Sequence, residues 1–90
     1  MSELRLRKDR LHWLEADGEV VALDEASLVY LNANASAATL WRALEAGATR
    51  EELVHRLLAE YDVEEAVAGA DVDSFVAELD ARGLLERGRA

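Results

Sequence analysis

Side chains that commonly do chemistry are scarce in this 90-residue chain. It has no cysteine, so it offers no thiolate nucleophile, no thiolate metal site and no disulfide framework. Its two histidines, His12 and His55, have no serine or cysteine partner at a meaningful spacing. Glu52-Leu-Val-His55 does spell Glu-x-x-His, the i, i+3 pair that di-iron helix bundles use. Such a centre needs a second copy of the pair and two further glutamates on long helices, and the sequence supplies neither. No glycine-rich run precedes a helix, so there is no phosphate cradle. The expectation is a protein without catalysis of its own, with no cofactor and no metal.

Charge narrows the partners. The net charge is −9, yet Arg5, Arg7, Lys8 and Arg10 hold four of the ten basic residues. Residues 11–90 carry the other 6 against 17 acidic side chains, a balance of −11. That surface repels nucleic acid and anionic membrane and favours basic or neutral partners. Residues 1–10 are expected to be a flexible basic segment and 87–90 a loose tail, the ordinary behaviour of termini. No apolar run follows the first basic residues as in a signal peptide, and no stretch approaches the roughly 20 apolar residues of a membrane span. The expected location is the cytoplasm.

Ninety residues make one domain, here drawn as residues 11–86, able to bury about 60–65% of its unfolded surface. Leu11–Ala16 and Glu19–Asp24 are runs of β-formers joined by Asp17-Gly18, the residue pair that a two-residue hairpin turn favours at its two positive-φ positions. A third strand is expected over Ser27–Asn32. The period then becomes helical: Ala37, Leu40, Trp41 and Leu44 fall at i, i+3, i+4, i+7. Asn34 or Ser36 can cap this helix and Gly47 can end it. Thr49-Arg-Glu-Glu52 is a capping box for a second helix, which gives Glu52 a structural task and carries Leu53, Val54, Leu57, Leu58 and Tyr61 on one face. The third helix runs from about Glu64 to Arg82, with Val72, Phe75, Val76 and Leu79 on its apolar face. Gly69 weakens its first half by about 1 kcal/mol relative to Ala. Gly83 stops it, and Leu84 is placed to fold back over the end. The order β-β-β-α-α-α predicts an α+β fold, a winged helix-turn-helix with a three-stranded antiparallel sheet followed by three helices.

A winged helix suggests DNA, but a recognition helix needs basic or amide side chains on its exposed face. The second helix sets Arg50 and Arg56 against Glu51, Glu52 and Glu60, and the third carries Glu64, Glu65, Asp71, Asp73, Glu78 and Asp80. A DNA-binding regulator remains only as an alternative. The third strand points elsewhere. Leu28, Val29, Tyr30 and Leu31 run without a polar break, and in a meander this strand is an edge with no Lys or Pro to blunt it. Such an edge can accept a peptide strand. Equally, Val29 and Leu31 can face the helices while Leu28 and Tyr30 pack on the N-terminal segment or on a second subunit, giving a homodimer through the same edge.

Several landmarks occur together: Asp17-Gly-Glu-Val-Val-Ala-Leu-Asp24; a strand ending in Leu31-Asn32 and followed by small residues; Leu40-Trp-Arg-Ala-Leu44; Gly47-Ala-Thr-Arg-Glu-Glu-Leu53; Tyr61-Asp-Val63; and Asp71-Val72, Phe75, Leu79 and Arg82-Gly-Leu-Leu85. In this order they resemble the PqqD-like family, the RiPP recognition elements, over about four-fifths of the chain. The resemblance implies a non-catalytic domain that binds the leader of a ribosomally made precursor peptide and presents it to a modifying enzyme such as a radical SAM enzyme, a leader peptidase or a cyclase. It implies that the leader adds to the third strand at Leu28, Val29, Tyr30, Leu31 and Asn32. The other wall would be Val72, Phe75, Val76 and Leu79, with Arg82 available to a leader carboxylate.

Overall fold

The computed structural model describes residues 3–88. Its elements are β1 (Leu4–Leu6), a single 3-10 turn (Lys8–Arg10), β2 (Leu11–Ala16), β3 (Glu19–Asp24), β4 (Val29–Ala33), α1 (Ala35–Ala46), α2 (Arg50–Glu60), α3 (Glu65–Ala81) and β5 (Leu85–Arg87). β2, β3 and β4 form the expected antiparallel meander, in that order, and three helices follow. Asp17 and Gly18 both take positive φ, 54° and 78°, as a tight hairpin turn requires. β3 divides cleanly: Val20, Ala22 and Asp24 are buried while Val21 is exposed.

The helix boundaries follow from local chemistry. The Asn34 side chain accepts the Ala37 amide at 3.1 Å and so caps α1. The capping box is present in both directions: Thr49 accepts from the Glu52 amide, and Glu52 from the Thr49 amide at 2.8 Å. α3 closes in a Schellman motif, with Leu84 N–H donating to Leu79 O and Gly83 N–H to Asp80 O, both at 3.0 Å. Leu84 is fully buried there. Gly69 is less of a weak point than its propensity suggests. A Cβ at that position would stand 3.2 Å from an Arg50 guanidinium nitrogen, and Arg50 clamps α2 to α3 through two bonds to Asp73, 2.7 and 3.0 Å.

The core is continuous, with Trp41, Leu40, Leu44, Leu53, Val20, Val72 and Leu84 almost wholly enclosed. Trp13 on β2 meets Trp41 on α1 edge to face at 5.6 Å, fastening sheet to helices.

Two expectations need correction. The expected free basic segment, residues 1–10, is structured over residues 3–10. Leu4 and Leu6 are buried, and β1 pairs antiparallel with β5 (Leu4↔Arg87, Leu6↔Leu85). Leu4 also exchanges two backbone bonds with Ala48, 2.8 and 2.9 Å. The alternation Leu4-Arg5-Leu6 puts both leucines on one face, where their burial holds the segment down, while Arg5 points outward and pairs with Glu3 at 2.6 Å. The structured region therefore reaches beyond 11–86: Arg87 is in β5, and the Gly88 amide bonds to Glu3 O at 2.7 Å. The expected looseness of the extreme ends at residues 1–2 and 89–90 lies outside the described residues. The second correction concerns the third strand, which is Val29–Ala33 and not Ser27–Asn32. Asp24 explains the shift. Its buried carboxylate accepts the Ala26 amide (3.1 Å) and Ser27 Oγ (2.9 Å), winding residues 25–28 into a turn that leaves Leu28 at φ 59°.

Candidate functional site

The two-residue turn at Asp17-Gly18 fixes which backbone groups of the sheet are paired. Ala16 and Glu19, which flank it, exchange both bonds, and an antiparallel ladder alternates from there. Glu19, Val21 and Leu23 therefore bond toward β2, and the bond from the Glu25 amide to Arg10 O at 2.8 Å continues the same series. Val20, Ala22 and Asp24 bond the other way, toward Ala33, Leu31 and Val29 of β4. Tyr30 and Asn32 are left with their N–H and C=O groups pointing out of the open edge. β4 pairs only with β3, so this edge is vacant among the described residues.

Side chains alternate between the two faces of the sheet. Val29, Leu31 and Ala33 lie on the helix-facing side, opposite buried Asp24, Ala22 and Val20. Tyr30 and Asn32 lie on the outward side, and Tyr30 is 68% exposed. Leu28 stands apart from this pattern: it is in the turn, not the strand, and 73% exposed. Neither Leu28 nor Tyr30 packs on the N-terminal segment, which runs beside β5 and Ala48.

The edge leads into a cleft. Asn34 follows β4 directly, caps α1 and lines a hollow of about 310 Å³ whose floor is Ala37, Leu40 and Leu57. Its far wall is Asp71, Ser74, Phe75 and Glu78, an i, i+3, i+4, i+7 face of α3. A second hollow of about 440 Å³ shares Asn34, Ser36, Leu57 and Asp71 and extends to Tyr61, Val63 and Glu19. The two form one trough along α3. Every ionisable group lining it, Glu19, Asp71, Glu78 and Tyr61, is acidic.

Of the α3 residues expected to form the wall, only Phe75 lines the trough. Val72 and Leu79 are 0% and 3% exposed and anchor the helix in the core instead. Val76 is half-buried against that core. Arg82 is the C-cap of α3 and lies 3.7 Å from Glu78, so it is already near a carboxylate of its own chain. The sequence reading missed Asn34, Ser36, Ala37 and Leu57 as lining residues. The small side chains of Ala35-Ser36-Ala37 after the strand were the available signal, because they keep the first turn of α1 from filling the trough.

The turn before β4 is braced against the end of α3. Arg10 reaches Gly83 O at 3.3 Å and both Asp24 oxygens at 3.4 Å, joining the β3–β4 turn to the end of α3. Burial works to raise the Asp24 carboxyl, but the Ser27 and Ala26 hydrogen bonds and the Arg10 charge prevail and hold it below the ordinary carboxylate range. His12 is exposed and contacts Glu25, and His55 is exposed on α2. Among the described residues no three His, Asp or Glu side chains gather where a metal ion could sit, and no helix is long and apolar enough to cross a membrane.

Comparison with known proteins agrees with this geometry. No curated protein matches the sequence. Two solved structures do match. One is "TbiB1 in Complex with the TbiA(beta) Leader Peptide", 31% identical with a TM-score of 0.82, covering 96% of this chain and 98% of that one. The other is "Lasso peptide synthetase B1 complexed with the leader peptide", 30% identical with a TM-score of 0.79, covering 93% and 98%. The family model for coenzyme PQQ synthesis protein D (PqqD) matches residues 19–85, from the second strand of the hairpin through α3 to the start of β5. With an open-edged meander and three helices in the same order, the chain belongs to the PqqD family, the RiPP recognition elements.

Proposed function

We propose that this protein binds the leader of a ribosomally made precursor peptide as an added strand on β4 and presents it to a modifying enzyme, without catalysis of its own. The observation that carries this reading is the vacant edge at Tyr30 and Asn32 running into the acidic trough beside α3, in a chain 31% and 30% identical over nearly its whole length to two proteins solved with leader peptides. Backbone groups give an added strand its affinity, and pockets for alternate side chains give it specificity. The leader residues opposite Val29, Leu31 and Ala33 face inward and supply apolar anchors. The carboxylates of Asp71 and Glu78 favour a leader with a basic residue at the trough. A lasso product needs leader removal and ring closure, which favours a leader peptidase and a cyclase over a radical SAM enzyme as partners, working in the cytoplasm.

Fluorescence anisotropy of a labelled leader, taken from the precursor encoded beside this protein, tests the reading. Binding at micromolar concentration or below, weakened about tenfold by Phe75→Ala, is the expected result. No binding by any neighbouring leader refutes it. Sedimentation with and without peptide identifies the competing case, in which the β4 edge pairs with a second copy.

A further inference from the structure

The meander has a second face, outside the core, that meets the trough only at Glu19. Leu14 on β2 lies directly across from Val21 on β3, and Leu23 on β3 directly across from Tyr30 on β4. All four point outward. Leu14 is 61% exposed, Tyr30 68% and Val21 38%. With His12 they border a shallow hollow of about 240 Å³. A contiguous apolar patch of this kind on a small acidic protein marks an interaction surface. Glu19 and Glu25 stand at the two ends of β3, and no outward position of the three strands carries Lys or Arg.

We propose that this face docks the enzyme that acts on the bound leader, through an enzyme surface with an apolar centre and Lys or Arg at its rim. The proposal rests on the leader-binding reading. Charge selects the occupant. A second copy stacked on the same face would set like-charged carboxylates against each other, whereas a basic rim meets both acidic ends. Continuity supplies the second argument. Tyr30 belongs to this face through its side chain and to the peptide edge through its backbone. A strand added at β4 therefore places its residues opposite Tyr30 and Asn32 on the same face, one row wider than before. The enzyme then touches protein and leader together, and its affinity reports whether the edge is filled.

Leu14 lies two strands from the peptide edge, so Leu14→Glu separates the two surfaces. Leader affinity is read by anisotropy. Association with the purified leader-processing enzyme encoded beside the precursor is read by biolayer interferometry, with and without leader and at low and high salt. The expected result is leader affinity within twofold of wild type and enzyme association weakened about tenfold or more. Wild-type association should also be tighter with leader present and weaker at high salt. Val21→Thr, a β-branched polar replacement, repeats the test if Leu14→Glu does not fold. Unchanged enzyme association by a folded variant overturns the proposal. So does sedimentation showing that Leu14→Glu splits a wild-type dimer, which would make the occupant a second copy. If wild type fails to bind leader, the leader reading falls on that arm alone, and the enzyme arm without leader still decides the face.

Discussion

Asn32→Pro tests the assignment of the open edge. The ladder alternation points the Asn32 N–H away from β3, so proline there removes no bond within the sheet. Proline is tolerated on an edge strand when its missing N–H faces outward, and the preceding Leu31 is already extended, as proline demands. The variant should therefore fold. The added peptide suffers instead. One of its carbonyls loses the Asn32 donor and is covered by the pyrrolidine ring, so it is left unpaired. An unsatisfied group of this kind costs about 1–3 kcal/mol, a loss of about 5- to 150-fold in leader affinity. Leu31→Pro is the opposite case. Its N–H faces Ala22 inside the sheet, and the substitution should cost about 3 kcal/mol of fold stability.

The same logic applies from the peptide side. In a series of leaders each N-methylated at one residue and titrated by anisotropy, affinity should fall at every second position of the docked strand and change little between. This alternation holds whether the leader runs parallel or antiparallel to β4, because side chains and bonding groups alternate in both. A flat profile, or Asn32→Pro binding leader as wild type does while its circular dichroism is unchanged, would refute the edge assignment.

Leu6→Ala, at a position 2% exposed beneath β5, should cost about 2–5 kcal/mol and lower the midpoint of thermal unfolding by about 10 °C or more. A freely moving N-terminus predicts no change. Leu28→Gly relieves a left-handed residue whose side chain is mostly in water. It should raise stability in urea by about 1 kcal/mol and leave leader affinity as it is. Asp24, through its hydrogen bonds and Arg10, and Asp73, through its bonds from Arg50, are both held below the usual aspartate value of 3.8. The folded state then binds fewer protons than the unfolded chain, so their contribution is present above that value and is lost as pH falls through the depressed ones. Asp24→Asn should unfold at a lower temperature at pH 7 and show a shallower decline in acid, measured by thermal melts across that range.

The elements most legible from sequence were those set by neighbours in the chain. The Asp17-Gly18 turn, the Thr49–Glu52 capping box and the Gly83-Leu84 closure each depend on a few adjacent residues, and each appears as read. The strand–turn boundary at Leu28 was not legible, because it is decided by a carboxylate. Asp24 folds onto Ala26 and Ser27, and Arg10, fourteen residues earlier, reaches the same carboxylate from outside the turn. β1 was hidden for a related reason. Two leucines about an arginine look like a solvated tail until β5, about eighty positions later, supplies the partner strand and Ala48 the other side.

The candidate site falls between these cases. That β4 would be an unguarded edge follows from strand order and the absence of Lys and Pro, both readable in the sequence. The apolar face of α3 misled, because helical periodicity marks which residues are buried and not which line an open cleft. Val72 and Leu79 satisfy the period by entering the core, while the trough is lined one step around the helix by Asp71, Ser74 and Glu78, with Phe75 at the boundary. On α3 the side that lines the trough is the rim, where apolar and polar positions adjoin. A peptide strand set there finds an aromatic ring and two carboxylates within two turns.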